Sequence, residues 1–219
     1  MSDIFEEVDE EVRAERLRKL WEKYNALVLA AAVLIVLSVA GWRGYEWWQD
    51  RQAQATGVRF DSAMRLLAEG KTAEADAAFG ALAGDAPSGY RMLSRFAHAA
   101  TLAATDKAGA AAMFDAITAD GSVLAPLRDL ARIRAGLLLV DTAPYAEMTQ
   151  RLEGLAGPEG AYRSSARELL ALSAWRVGDR DAAKRWNEAI LSDGGAPQNL
   201  HARAEMLRDV MATPAAKAN

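Results

Sequence analysis

Hydrophobic and polar positions fall into three regimes along this chain. From Asp3 to Lys23, Phe5, Val8, Val12, Leu17, Leu20 and Trp21 recur at three- to five-residue steps, with charged residues in the gaps. That spacing predicts an amphipathic helix. Its first half is acidic (EEVDEEV) and its second half basic (RLRK), an order that complements the helix dipole. From Asn25 to Trp42 there is no charge at all; Lys23 precedes the run and Arg43 follows it. At the helical rise these residues reach roughly 27 Å, close to the thickness of a bilayer's hydrocarbon. Beyond Trp42 apolar residues return to helical spacing, alanine is abundant, and no run alternates with period two over strand length.

The flanks of the apolar run favour a membrane span. Trp21, Lys23 and Tyr24 stand before it, and Trp42, Arg43, Tyr45, Trp47 and Trp48 after it, where amphipathic rings and cations suit the membrane–water interface. Ser38-Val39-Ala40 resembles a signal-peptidase site, but the long polar lead and the length of the run favour a retained anchor. Arg13, Arg16, Arg18, Lys19 and Lys23 precede the span, against Arg43, Arg51 and Arg59 in a comparable window after it. That bias places the N-terminus in the cytoplasm and the large C-terminal part across the membrane.

Gly and Pro punctuate the third regime at Glu69-Gly70-Lys71, Asp85-Ala86-Pro87-Ser88-Gly89, Asp120-Gly121, Gly157-Pro158-Glu159-Gly160, Gly178-Asp179 and Asp193-Gly194-Gly195-Ala196-Pro197. The segments between them suit paired antiparallel helices, so the expected fold is all-α. The second helix of each pair carries a small residue followed four residues later by a large one: Ala75…Phe79…Leu82, Ala110…Phe114…Ile117, Met148…Leu152…Leu155 and Ala182…Trp186…Ala189. Phe79, Phe114, Leu152 and Trp186 are 35, 38 and 34 residues apart. A period near 34 residues is that of tetratricopeptide helix–turn–helix units. The first unit fits best, with Gly70 as turn glycine, Ala75 as small packing residue, Phe79 as aromatic and Pro87 as terminal proline. The third lacks the alanine. The expected division is a tail (1–24), a transmembrane helix (25–42), a juxtamembrane helix (43–59), a tetratricopeptide-like α-solenoid (60–211) and a flexible C-terminal tail (212–219).

Charge and chemistry narrow the function. Residues 43–219 hold 21 Lys/Arg and 22 Asp/Glu, which gives no electrostatic reason to expect nucleic-acid binding. There is no cysteine, which excludes disulfides, thiolate metal sites and a cysteine nucleophile. The two histidines are His98 and His201; His201 and Glu205 share a helix face, but a metal needs three or four ligands. No phosphate-cradling glycine loop or nucleophile elbow occurs, and Asp179 and Asp181 flank a turn as capping residues do. No catalytic residue, cofactor or metal is expected.

The order of parts resembles that of the YfgM-like ancillary subunits of the SecYEG translocon in Gram-negative bacteria. The likeness is carried by Leu20-Trp21-Glu22-Lys23-Tyr24-Asn25 before the span, Gly41-Trp42-Arg43-Gly44-Tyr45-Glu46-Trp47-Trp48 after it, and the alanine-rich helical repeats that follow. The resemblance implies an inner-membrane protein with a periplasmic tetratricopeptide-like domain. Its implied partners are translocon subunits, a periplasmic chaperone and newly exported clients. A scaffold for envelope assembly or cell division is the alternative, and a membrane-tethered enzyme a remote one.

Overall fold

The computed structural model describes residues 3–212, with the side chains of 3–17, 19, 20, 22, 28 and 88 outside the described set. The expected amphipathic pattern of the N-terminal tail up to Leu20, and the C-terminal tail beyond Ala212, therefore lie outside the described side chains. All described elements are helical: α1 (Asp3–Ala68), α2 (Thr72–Asp85), α3 (Ser88–Leu102), α4 (Lys107–Ala119), α5 (Ala125–Leu139), α6 (Tyr145–Leu152) with a 3-10 turn (Glu153–Leu155), α7 (Arg163–Arg176), α8 (Arg180–Leu191) and α9 (Gln198–Ala212). The chain divides into two compact units, Met1–Ala55 and Thr56–Asn219.

The first unit holds a stretch long and apolar enough, by length and composition, to cross a membrane, and none of it is buried. Trp21, Tyr24, Trp42, Tyr45, Trp47 and Trp48 are all exposed. Past Trp42 the polar handles pair along the helix. The Trp42 indole N–H donates to Glu46 at 2.8 Å, and Arg43 pairs with the same carboxylate at 3.3 Å. Gln49 donates to the Tyr45 hydroxyl, and the Arg51 guanidinium lies 4.5 Å over the Trp47 ring. On the other side, the Lys23 ammonium lies 5.4 Å from the Tyr24 ring centre.

In the second unit, helices consecutive in sequence pack on one another, and α5 with α7 and α7 with α9 touch directly. Short turns make neighbours antiparallel, so α5, α7 and α9 run in the same direction. Two turns are the same device. Gly70 and Gly178 take positive φ of 76° and 83°. At the first, Lys71 N–H bonds Leu66 carbonyl and Gly70 N–H bonds Leu67; at the second, Asp179 N–H bonds Ala174 and Gly178 N–H bonds Trp175. This closure needs a left-handed residue, which glycine adopts without strain. Pro87 and Pro144 instead serve as N-cap residues of α3 and α6.

Counting from the residue that caps each second helix gives one register throughout. Positions four, eight and eleven after the cap are Ala75, Phe79 and Leu82 from Lys71, and Ala110, Phe114 and Ile117 from Asp106. From Pro144 they are Met148, Leu152 and Leu155; from Asp179 they are Ala183, Asn187 and Ile190. All twelve are buried. In the fourth pair the register therefore falls one residue after Ala182, Trp186 and Ala189. The cause is Asp179, whose carboxylate accepts the Ala182 N–H at 3.0 Å and so fixes Ala182 in the first turn. Ala182 is also buried, while Trp186 is half-buried against the Val140–Leu170 cluster and donates to the Tyr145 hydroxyl at 3.0 Å. Asn187 takes the place of a large apolar residue and donates to the Ala204 carbonyl at 2.9 Å, tying α8 to the last helix.

The third pair, with Met148 where the others have alanine, finds its small residue on the facing helix. A Cβ on Gly136 would meet Leu152 Cδ1 at 3.0 Å and Leu169 Cδ1 at 3.4 Å. The glycine lets α5 approach α6 and α7 closely enough for the longer Met148 and Leu152 to fill the space.

Candidate protein-interaction surface

Each first helix is buried on the side facing its own pair, and what it leaves outward is the surface in question. On α7 the residues Ala166, Arg167, Leu169, Leu170, Ala171, Ser173 and Ala174 are buried, yet Leu172 among them is 38% exposed. On α5 Ala131, Ala135 and Gly136 are buried, while Arg134 is exposed and Leu137 is 53% exposed. On α9 Leu200 and Ala204 are buried, while Met206 is 60% exposed and Val210 is exposed.

Two arginines fix how these residues line up. Arg203 on α9 donates to both oxygens of Glu168 on α7, at 2.5 and 2.8 Å. One turn further along these parallel helices come Leu172 and Met206. Arg176, at the end of α7, donates to the Val140 carbonyl at 3.0 Å and to the Ala143 carbonyl. One turn back from that tie come Leu172 and Leu137. Leu137, Leu172 and Met206 thus form a row across α5, α7 and α9, and their separations of 35 and 34 residues are those of the repeat itself. Exposed large apolar side chains in a row, rather than scattered singly, mark an interaction surface.

The row stands on rigid support. Arg167 is buried and donates to the Ala156 and Ala189 carbonyls, both at 2.9 Å, and to Asp193 at 3.0 Å. Arg163 grips both oxygens of the same Asp193, at 2.5 and 3.0 Å, and with the Gly195 N–H holds that carboxyl well below the usual range. Arg151 ties α6 to Asp115 on α4. Its own burial opposes its charge, but the hydrogen bond it donates to Asp115 and the pairing with Glu147 raise its pKa overall.

Asp120, at the end of α4, is a third clamp. The Ser122 hydroxyl donates to it at 2.6 Å and Arg95 on α3 at 2.7 Å, and in that order they lower its pKa from 3.8 to about 2. A carboxyl with a depressed folded-state pKa stabilises fully above its unfolded pKa, and that contribution fades as pH falls toward the folded value. Asp120→Asn should therefore melt below the parent at neutral pH, with the gap closing between about pH 4 and pH 2. Thermal melts across that range check it; a gap that stays constant would contradict the assignment.

His98 lies 3.4 Å from the Asp76 carboxylate, His201 is half-buried, and the described residues contain no group of three or more His, Cys, Asp or Glu able to hold a metal. The sequence pattern pointed to packing positions and the aromatic flanks. It did not single out Leu137, Leu172 and Met206, which read as core by hydropathy. Their signal was present as the repeat period carried on the first helices.

Stacked helical pairs with an exposed apolar row on their first helices define a helical-repeat interaction protein. The model of the tetratricopeptide repeat-like domain family matches residues 18–203, and the chain belongs to that family. Its domains mediate protein–protein interactions and are typically non-catalytic. Searches of curated proteins and of solved structures gave no significant match.

Proposed function

We propose that this chain is a membrane-anchored scaffold, an ancillary translocon subunit that holds newly exported proteins and a periplasmic chaperone beside the site of export. The observation that carries the scaffold reading is the row Leu137–Leu172–Met206, displayed on the first helices of a family built for protein binding. In this reading residues 25–42 cross the inner membrane, with the tail before them in the cytoplasm, residues 43–59 as a juxtamembrane helix, and the repeats from residue 60 to 211 in the periplasm. The uncharged run, the exposed aromatic flanks and the excess of Lys/Arg before the span support that arrangement. The translocon assignment rests on the likeness in order of parts and in the juxtamembrane residues.

The test separates location from capture. Exchanging residues 25–42 for an unrelated apolar span should preserve insertion but weaken association with translocon subunits, because close helix approach depends on specific small side chains such as Ala30 and Gly41. Deleting residues 60–219 should leave that association partly intact while abolishing recovery of a chaperone or client. Both are read by crosslinking and pull-down from membranes at matched expression. If the unaltered protein brings down no translocon subunit, the export assignment is wrong.

A further inference from the structure

The charge beside the apolar row says what kind of partner fits it. Arg134 lies one turn before Leu137, is exposed, and has no ion-pair partner among the described residues. Arg176 lies one turn after Leu172 and donates to the Val140 and Ala143 carbonyls rather than to a carboxylate. Glu168, the carboxylate on the same face of α7, is already occupied by both donor nitrogens of Arg203, whose pKa that pairing raises. Asp141 stands past the end of α5, next in sequence to Val140, whose carbonyl Arg176 holds. At the α5 end of the row, next to Leu137, Arg134 is the exposed cation with no ion-pair partner among the described residues.

We infer that the α5–α7–α9 face takes an amphipathic segment whose apolar side is bordered by carboxylates, and discriminates against the same segment bordered by lysines. This rests on the scaffold reading above. The leucines and Met206 supply non-directional burial, which does not distinguish one apolar segment from another. Arg134 supplies the selection, because a carboxylate beside it gains a bidentate partner while an ammonium meets a like charge. The guanidinium is exposed, so the effect is modest and screened by salt.

The probes are three synthetic fluorescent peptides about three helical turns long, identical in their leucine pattern, with Glu, Gln or Lys at every flanking position. They are titrated by anisotropy against the full-length protein in nanodiscs of zwitterionic lipid, with empty nanodiscs subtracted. The Glu peptide should bind about fivefold or more tightly than the Lys peptide, and the preference should shrink as salt rises from about 50 to about 300 mM. Arg134→Glu should bring the two within about twofold or reverse their order, without changing thermal melting. Leu137→Asp should weaken all three. Equal binding of Glu and Lys peptides that still responds to Leu137→Asp would overturn the charge selection and leave the docking face standing. Binding that ignores Leu137→Asp, or no binding by any peptide, would overturn the face itself.

Discussion

Phe79→Ala should lower the stability of the 56–219 unit by about 3–5 kcal/mol, the range for truncating a fully buried aromatic. Phe79 is buried, its ring centre lies 5.4 Å from that of Phe60, and Ala63 and Ala75 close around it. Neither small neighbour can move into the space, so most of the cavity stays open. For a unit of this size the midpoint should fall by roughly 10 °C or more. Arg185→Ala, at an exposed position on α8, should leave it within about a degree or two. A Phe79 variant that melted with the control would mean that the second helix is not packed in this register.

The second large effect is functional. Leu137→Asp combined with Leu172→Asp should reduce recovery of partner proteins by about tenfold or more, since a few apolar residues at the centre of an interface carry most of its energy. Both positions face outward, at 53% and 38% exposure, so the pair should cost far less stability than Phe79→Ala. Pull-down from membranes at matched expression, with proteolysis to confirm folding, separates the two. Undiminished recovery from the folded double variant would place the interaction elsewhere.

The parts legible in the sequence were those governed by local rules. Helices and their ends follow from apolar spacing, from Gly70 and Gly178 at left-handed turns, and from capping residues such as Asp106, whose carboxylate accepts the Gly109 N–H at 2.8 Å. In the fourth pair two adjacent alanines offer two registers. The larger Trp186 argues for one and the cap at Asp179 enforces the other, leaving Asn187 in the buried position. The third pair's alanine is missing because the space it would give is supplied by Gly136, on a different helix. A pattern read along one helix cannot see that exchange. The exposed row was hidden for a related reason. Leu137 and Leu172 carry the hydropathy of core residues, and only the ties made by Arg176 and Arg203 reveal that they face outward together.

The most direct test of the central claim is site-specific photocrosslinking in native membranes. A photoreactive residue at position 172, and separately at 137, should yield protein adducts, while the same residue at position 185 on α8 should yield none. Adducts at 185 with none at 137 or 172 would contradict the account.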